Sequence, residues 1–311
     1  MRQGNSMSAA DRDSVERSIK HCYSTWGTSY YADYYGADAP YPPVHLDLVS
    51  RLVAERDVKR LLDAGCGPAS MLRHLVAPGR DIYGFDLTPE MVVEARRVLA
   101  EQGVPADHVW EGSVAVRADF VAPTGNADYD CVLCSGVMPH IAETTETDII
   151  ANIRDALQPG GHAIVEARNE LFSMFTLNRY SHEFFLKQLL PVDELRRQAG
   201  DEGDGMNAAL AQVERMFRTD VPPIRQGKDD EPGYDEVLSR THNPLLLQQK
   251  FLATGFTNVQ LYYYHFHCLP PVVSGHAPRL FREISLQMEA NPKDWRGLFM
   301  ASAFFVVAQR A

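Results

Sequence analysis

The chain has 311 residues, 45% hydrophobic and 23% charged, and its 30 lysines and arginines stand against 41 aspartates and glutamates, a net charge of −11. That length buries a core without help from disulfides or metals, and the composition excludes wholesale disorder, a collagen-like chain and a pure coiled coil. The acidic balance argues against nucleic-acid partners and against an anionic membrane surface. Five scattered cysteines (Cys22, Cys66, Cys131, Cys134 and Cys268) imply no disulfide framework and fit a reducing cytoplasm. The first residues are polar and lack the apolar core of a signal peptide. The longest apolar run, Leu298 to Ala308, is about half the ~20 residues a membrane helix needs and reads as a buried strand.

Apolar residues at Val15, Ile19, Tyr23 and Trp26 have helical spacing, and Gly27 stops the pattern. Tyrosines follow at Tyr30, Tyr31, Tyr34, Tyr35 and Tyr41, and after Pro42-Pro43 a second amphipathic helix starts near His45. From residue 59 strands and helices alternate: strands at 59–65, 81–86, 108–112, 129–135 and 162–167, and helices after Thr88-Pro89 and through Ile149–Leu157, the latter ending at Pro159-Gly160-Gly161. Such alternation predicts an α/β chain with a parallel sheet covered on both faces. Residues 169–242 break the rhythm with an aromatic, helical stretch to Leu190 and a polar, mobile section over about 199–235. Asn243-Pro244 opens another helix, Thr257–His267 is a sixth strand, 268–297 an insertion and Leu298–Gln309 a seventh strand. The domain reading is a helical lid over 1–45, a core over 46–168, an inserted cap over 169–242, and the remainder of the core over 243–311.

Strand Leu61-Leu62-Asp63 runs into Ala64-Gly65-Cys66-Gly67-Pro68-Ala69, and Asp86 ends the next strand about twenty residues on. Glycines let the backbone approach a ligand closely, and an acid at that second position accepts hydrogen bonds from ribose hydroxyls. A dinucleotide dehydrogenase competes for such a turn, but the turn has neither a third glycine nor a nearby base for a pyrophosphate.

On Leu61–Gly67, Gly84-Phe85-Asp86, Tyr129–Ile141 and Gln158–Gly161, the sequence resembles the class I S-adenosylmethionine-dependent methyltransferases, in their small-molecule branch. The resemblance implies a Rossmann-like, doubly wound seven-stranded sheet with an antiparallel last strand. It also implies S-adenosylmethionine as cofactor and S-adenosylhomocysteine as product. On the same resemblance Gly65 and Gly67 contact the methionine part, Asp86 the ribose and Leu87 one adenine face, with Val114 and its neighbours lining the adenine. Asp63, Met91 and Ser135 join these as cofactor contacts, and Tyr23 and Tyr30 reach the cofactor from the lid. Two departures stand out: Ala69 replaces the third glycine, and Ser113 stands where many members place an acid after the third strand. The serine hydroxyl is expected to contact the adenine amine instead.

Ligands of open α/β sheets bind beyond the carboxyl ends of the strands. There His140 is the candidate general base, with helix capping or substrate positioning as its alternatives. Arg168, Asn169, Asn178 and Arg179, bracketing an aromatic run that includes Phe175, suit a partly apolar acceptor bearing a carboxylate; pairing of the arginines with Glu170 and Glu183 is the alternative. Tyr31 reaches the acceptor from the lid. His265 and His267, two apart on a strand, share a face and suit substrate contact better than a metal, and no metal is expected. Cys131 and Cys134 pack the core. The reading is a cytoplasmic monomer or homodimer that methylates an oxygen or nitrogen of a small molecule. Alkyl transfer or cyclisation releasing methylthioadenosine is the rival reaction, and a non-catalytic cofactor-binding protein the rival class.

Overall fold

Leu61 to Ala64 are almost fully buried, as a strand covered on both faces must be. They belong to β1 (Arg60–Ala64), which pairs in parallel with β2 (Asp81–Asp86) on one side and β4 (Tyr129–Cys134) on the other. β3 (Val109–Glu111) pairs in parallel with β2, and β5 (Leu157–Arg168) with β4. With β6 (Phe256–Phe266) and β7 (Ala301–Arg310) these make a seven-stranded sheet in the order β3-β2-β1-β4-β5-β7-β6. Arg310 at the end of β7 bonds the carbonyl of Leu157 at the start of β5, and the Asn169 amide just beyond β5 bonds the Ser302 carbonyl at the start of β7. β7 is therefore antiparallel to β5, and the sheet is the expected Rossmann-like, mixed α/β architecture. The chain direction across the sheet reverses between β1 and β4, which puts a crevice beyond the carboxyl ends of those two strands.

A computed structural model describes residues 9–24, 31, 35, 42–125, 127–220 and 237–311. Helix α1 spans Ala9–Ser24 and α2 spans Val44–Glu55, the latter burying Leu48, Val49, Leu52 and Val53. Helix α3 (Pro89–Ala100) buries Met91, Val92, Ala95, Val98 and Leu99, one stripe at helical spacing. Its proline sits in the first turn as expected, but Thr88 makes no side-chain cap; instead the Thr88 amide bonds Asp86 Oδ1 at 2.9 Å. Helix α4 (Glu146–Ala156) ends ahead of the expected Pro159-Gly160-Gly161 stop, and β5 already starts at Leu157, running through the glycine pair. The seventh strand starts at Ala301 rather than Leu298, because Gly297–Met300 form one helical turn. Cys131 and Cys134 are fully buried in β4, and burial pushes both thiols up, that of Cys131 to about 12, as packing residues.

The chain divides into two compact units, one of residues 1–168, 225–262 and 304–311, the other of 169–224 and 263–303. The second unit is built around Asn169, which is 2% exposed. Its amide nitrogen donates to the carbonyls of Gly297, Leu298 and Ala301 at 3.1, 2.9 and 2.8 Å, and its Oδ1 accepts from the Leu171 amide at 3.0 Å. Helix α5 (Arg179–Phe184) is capped by Asn178 Oδ1, which accepts from the Tyr180 amide at 2.9 Å and from Thr176 Oγ1 at 2.9 Å. Part of the expected mobile section is ordered as α6 (Gly203–Glu214); residues 221–236 lie outside the described residues. Among the described residues no helix is long and apolar enough to cross a membrane.

Candidate cofactor and active site

β1 ends in a turn with Gly65 at φ +90 and Gly67 at φ +52. A Cβ on Gly65 would meet Val137 Cγ2 at 2.3 Å, so only glycine lets the β1 turn and the loop after β4 approach this closely. The Gly65 and Cys66 amides both bond the Phe85 carbonyl, at 2.8 and 2.9 Å, which ties the turn to β2. Ala69, at the place of the third glycine, keeps the left-handed backbone at φ +56 and is fully buried. The substitution therefore keeps the shape of the turn, at a steric cost of about 1–2 kcal/mol.

Two carboxyl groups back this turn. Asp63 is 3% exposed, and its Oδ1 has no hydrogen-bond partner among the described residues. Burial, and secondarily the charge of Asp86, push its carboxyl up to about 8. Asp86 Oδ2 accepts from the Gly67 amide and Oδ1 from the Thr88 amide, both at 2.9 Å. Burial still raises its carboxyl, against the lowering effect of those amides. A third acid, Glu166 at the end of β5, accepts from Ser135 Oγ and, at 2.9 Å, from the Gly136 amide. Ser135, expected at the cofactor, thus turns its hydroxyl to Glu166. Desolvation, and then the negative charges of Glu166 and Asp63, hold the phenol of half-buried Tyr35 well above its ordinary range. Tyr35 in turn bonds His45 Nε2 through its hydroxyl at 2.8 Å. Spacing alone did not assign Tyr35, His45 or Glu166; position at the carboxyl end of a strand was the signal available for Glu166.

Met91 is buried under the start of α3, Leu87 is half-buried after β2, and Val114 is 8% exposed after β3. Ser113 does not offer a vacant hydroxyl to an adenine. Its Oγ donates to Glu16 Oε1 at 2.8 Å and accepts from the Ala115 amide at 3.2 Å. Helix α1 thus brings the Glu16 carboxylate against Ser113, and is also held by Lys20 on Glu111 at 3.4 Å. Tyr31 stacks on Tyr35 with ring centroids 5.5 Å apart, lies 4.0 Å beneath the Arg73 guanidinium, and bonds His74. Tyr30, the other expected lid contact, lies outside the described residues.

His140 is 5% exposed in the loop after β4. Its Nδ1 lies 2.7 Å from the Leu238 carbonyl and its Nε2 2.9 Å from the Tyr23 hydroxyl. A carbonyl only accepts, so Nδ1 carries the proton, Nε2 is the lone-pair nitrogen and Tyr23 donates to it. Burial pushes the imidazole down to about 4, and the ring is neutral at physiological pH. Arg168 donates to Ser239 Oγ.

The other expected acceptor residues belong to the second unit. Asn169 and Asn178 have their side chains committed to the carbonyl cluster and the α5 cap described above, so neither is a free hand for a substrate. Arg179 folds over its neighbour Tyr180, 4.9 Å from the ring. Phe175 packs on Phe172 with centroids 6.3 Å apart. His265 has φ +54, which breaks the alternation of β6, so His265 and His267 do not share a strand face as expected. His267 lies beyond β6 against Phe172 and Phe281, with centroids 4.8 and 5.5 Å away, and burial pushes it down to about 4.

This turn fits a ligand that is both nucleoside and cation. The left-handed glycines open the backbone, Asp86 sits at the carboxyl end of β2, and the buried Asp63 Oδ1, partnerless among the described residues, lies beside that second acid, where a positive group would stabilise both. Residues 62–163 match the family model described as a methyltransferase domain. Over these residues the core is thus similar to methyltransferase domains. A ubiquinone biosynthesis O-methyltransferase of Xylella fastidiosa (strain M23) is 28% identical over 149 residues, covering 48% of this chain and 57% of that protein. One of Xanthomonas oryzae pv. oryzae is 30% identical over 166 residues, covering 51% and 65%. The chain thus matches about three fifths of the length of these curated relatives. Among solved structures, the magnesium protoporphyrin IX methyltransferase of Synechocystis PCC 6803 aligns with a TM-score of 0.48 at 14% identity, covering 95% of this chain and all of that one.

Proposed function

We propose that this chain binds S-adenosylmethionine in the Gly65–Asp86 cradle and transfers its methyl group to a small molecule, with oxygen the favoured acceptor atom. The observation that carries the reading is the cluster of Asp63, Asp86 and Glu166 about two left-handed glycines at the reversal point of the sheet. Bound there, the cofactor supplies an activated methyl group on a sulfonium. Gly65 and Gly67 admit its amino-acid part, Asp63 faces its positive charge, Asp86 its ribose, and Leu87, Met91 and Val114 its adenine. The acidic charge balance disfavours a nucleic-acid acceptor, and the O-methyltransferase names of the chain's relatives support an oxygen. Arg168, at the end of β5 beside Ser239, suits a carboxylate on the acceptor.

In such a transfer the protein orients the acceptor and removes its proton. The His140 geometry supports a relay in which the acceptor hydroxyl gives its proton to the Tyr23 oxygen as Tyr23 gives its own to His140 Nε2. The resulting imidazolium stays bonded through Nδ1–H to the Leu238 carbonyl. The test is mass spectrometry of nucleoside products after incubation with S-adenosylmethionine, with and without a pooled small-molecule extract. S-adenosylhomocysteine formed only with extract is the expected result. Methylthioadenosine above the spontaneous background overturns methyl transfer, and no nucleoside turnover despite tight cofactor binding overturns the enzyme reading.

A further inference from the structure

The tautomer of His140 is set by a carbonyl 98 residues away in sequence, and that carbonyl is held by a buried charge cluster outside the cofactor cradle. Residues 238–242 form a strap across the carboxyl ends of β4 and β5. Leu238 offers its carbonyl to His140 Nδ1, and Ser239 accepts from Arg168. The Arg240 amide bonds the Pro139 carbonyl at 2.7 Å, its guanidinium bonds the Ile141 carbonyl at 2.7 Å, and the His242 amide bonds the Arg168 carbonyl at 2.8 Å. The strap therefore grips both residues that flank His140 in sequence.

What fixes the strap is Glu146 in the first turn of α4, whose side chain is 2% exposed. Three groups face it: Lys250 Nζ at 3.0 Å, Arg240 Nη2 at 3.5 Å and His242 Nε2 at 3.8 Å. Lys250 comes from helix α7 (Pro244–Ala253), which follows the strap directly and is capped by Asn243 as its sequence predicts. Both His242 ring nitrogens are buried without a hydrogen-bond partner among the described residues, and burial pushes that ring down to about 4, so Arg240 and Lys250 supply the positive charge. A buried carboxylate gains from such partners only while they stay in place, and removing one member leaves the others uncompensated. The cluster is thus a rigid clip between α4, the strap and α7.

We propose that Glu146 is a positioning residue for the reaction. By clamping Arg240 it holds the Leu238 carbonyl on His140, which keeps Nδ1 protonated and leaves Nε2 toward the Tyr23 hydroxyl. The proposal rests on the reading of His140 and Tyr23 as the proton relay. The groups facing His140 are Tyr23 from α1, the Leu238 carbonyl from the strap and the Arg168 charge from β5; those facing Glu146 are Arg240, His242 and Lys250.

The experiment is histidine-labelled NMR of the full chain, the His140 signal being assigned by its loss in His140→Gln. Wild type is expected to show a single tautomer protonated at Nδ1. Glu146→Gln is expected to give mixed tautomers, a His140 titration moved up toward neutral pH, and a kcat lower by roughly 10- to 100-fold, with unchanged affinity for S-adenosylhomocysteine. Arg240→Lys keeps the charge but loses the reach to the Ile141 carbonyl, and is expected to fall between the two; it carries the test if Glu146→Gln does not fold. A folded variant that loses activity while its His140 tautomer and titration match wild type overturns the proposal. If wild type itself makes no methylated product, the function reading fails, while the NMR result still decides whether Glu146 orders His140.

Discussion

Replacing Gly65 by alanine tests the cradle most directly. The residue sits at φ +90, where a side chain costs about 1–3 kcal/mol of backbone strain. Its new Cβ would also lie 2.3 Å from Val137 Cγ2, and relieving that contact means moving a β-branched side chain with few χ1 states open to it. Overpacking of this kind adds about 1–3 kcal/mol, so Gly65→Ala should destabilise the chain by about 2–6 kcal/mol. The strain pulls on the amides that hold the Phe85 carbonyl, so affinity for S-adenosylhomocysteine should fall at least about tenfold, or ~1.4 kcal/mol. Val137→Ala removes the obstructing methyl but not the backbone strain. Urea unfolding of wild type, both single variants and the double variant should return a favourable coupling of about 1–3 kcal/mol, and calorimetric titration should recover part of the lost affinity. A Gly65→Ala protein with a wild-type midpoint, or a coupling indistinguishable from zero, would refute the close-approach argument.

Stability against pH should peak near pH 6.5. His140, His242 and His267 fall from an ordinary 6.5 to about 4 on folding, while Asp63 rises from 3.8 to about 8. Between about pH 4 and 6.5 the unfolded chain binds three protons more at these histidines, and more again at His45, His74 and His162, which burial also lowers, against one fewer at Asp63, so stability rises with pH; above 6.5 the folded chain keeps the Asp63 proton, with Asp86 shifted in the same direction, and stability falls. Urea midpoints from pH 4.5 to 9 check this, with Asp63→Asn expected to flatten the upper limb; a rise continuing through pH 8 would contradict the Asp63 assignment. Tyr23→Phe leaves His140 Nε2 without its donor and interrupts the relay, so kcat should drop by about 10²–10⁴-fold with cofactor affinity kept, measured by steady-state kinetics and calorimetry. Asn169→Ala strips a donor from three carbonyls of the second unit and should cost about 2–4 kcal/mol without altering cofactor binding; a change in acceptor KM at full stability would restore Asn169 as a substrate contact.

What could be read in the sequence is what local chemistry decides. The β1 turn needs glycine at particular backbone angles, and Asp86 follows at the length of one helix and strand, so both are visible as spacing. The strands appear as buried apolar runs, and Asn243-Pro244 announces its helix because a cap acts within three residues. Asn169 misled for the opposite reason. A polar residue at a strand end looks like a hand toward a ligand, but its amide is taken by carbonyls 128 to 132 residues away. Ser113 likewise looked available until α1 delivered Glu16 across 97 residues. Glu146 gave no signal at all, since an acid in the first turn of a helix is the usual complement to the helix dipole; Lys250, 104 residues on, gives it another role. Residue type fixes what a side chain is able to bond, and the fold decides which partner reaches it first. That order of events is why the relay around His140 depends on the 238–242 strap as much as on the loop that carries the histidine.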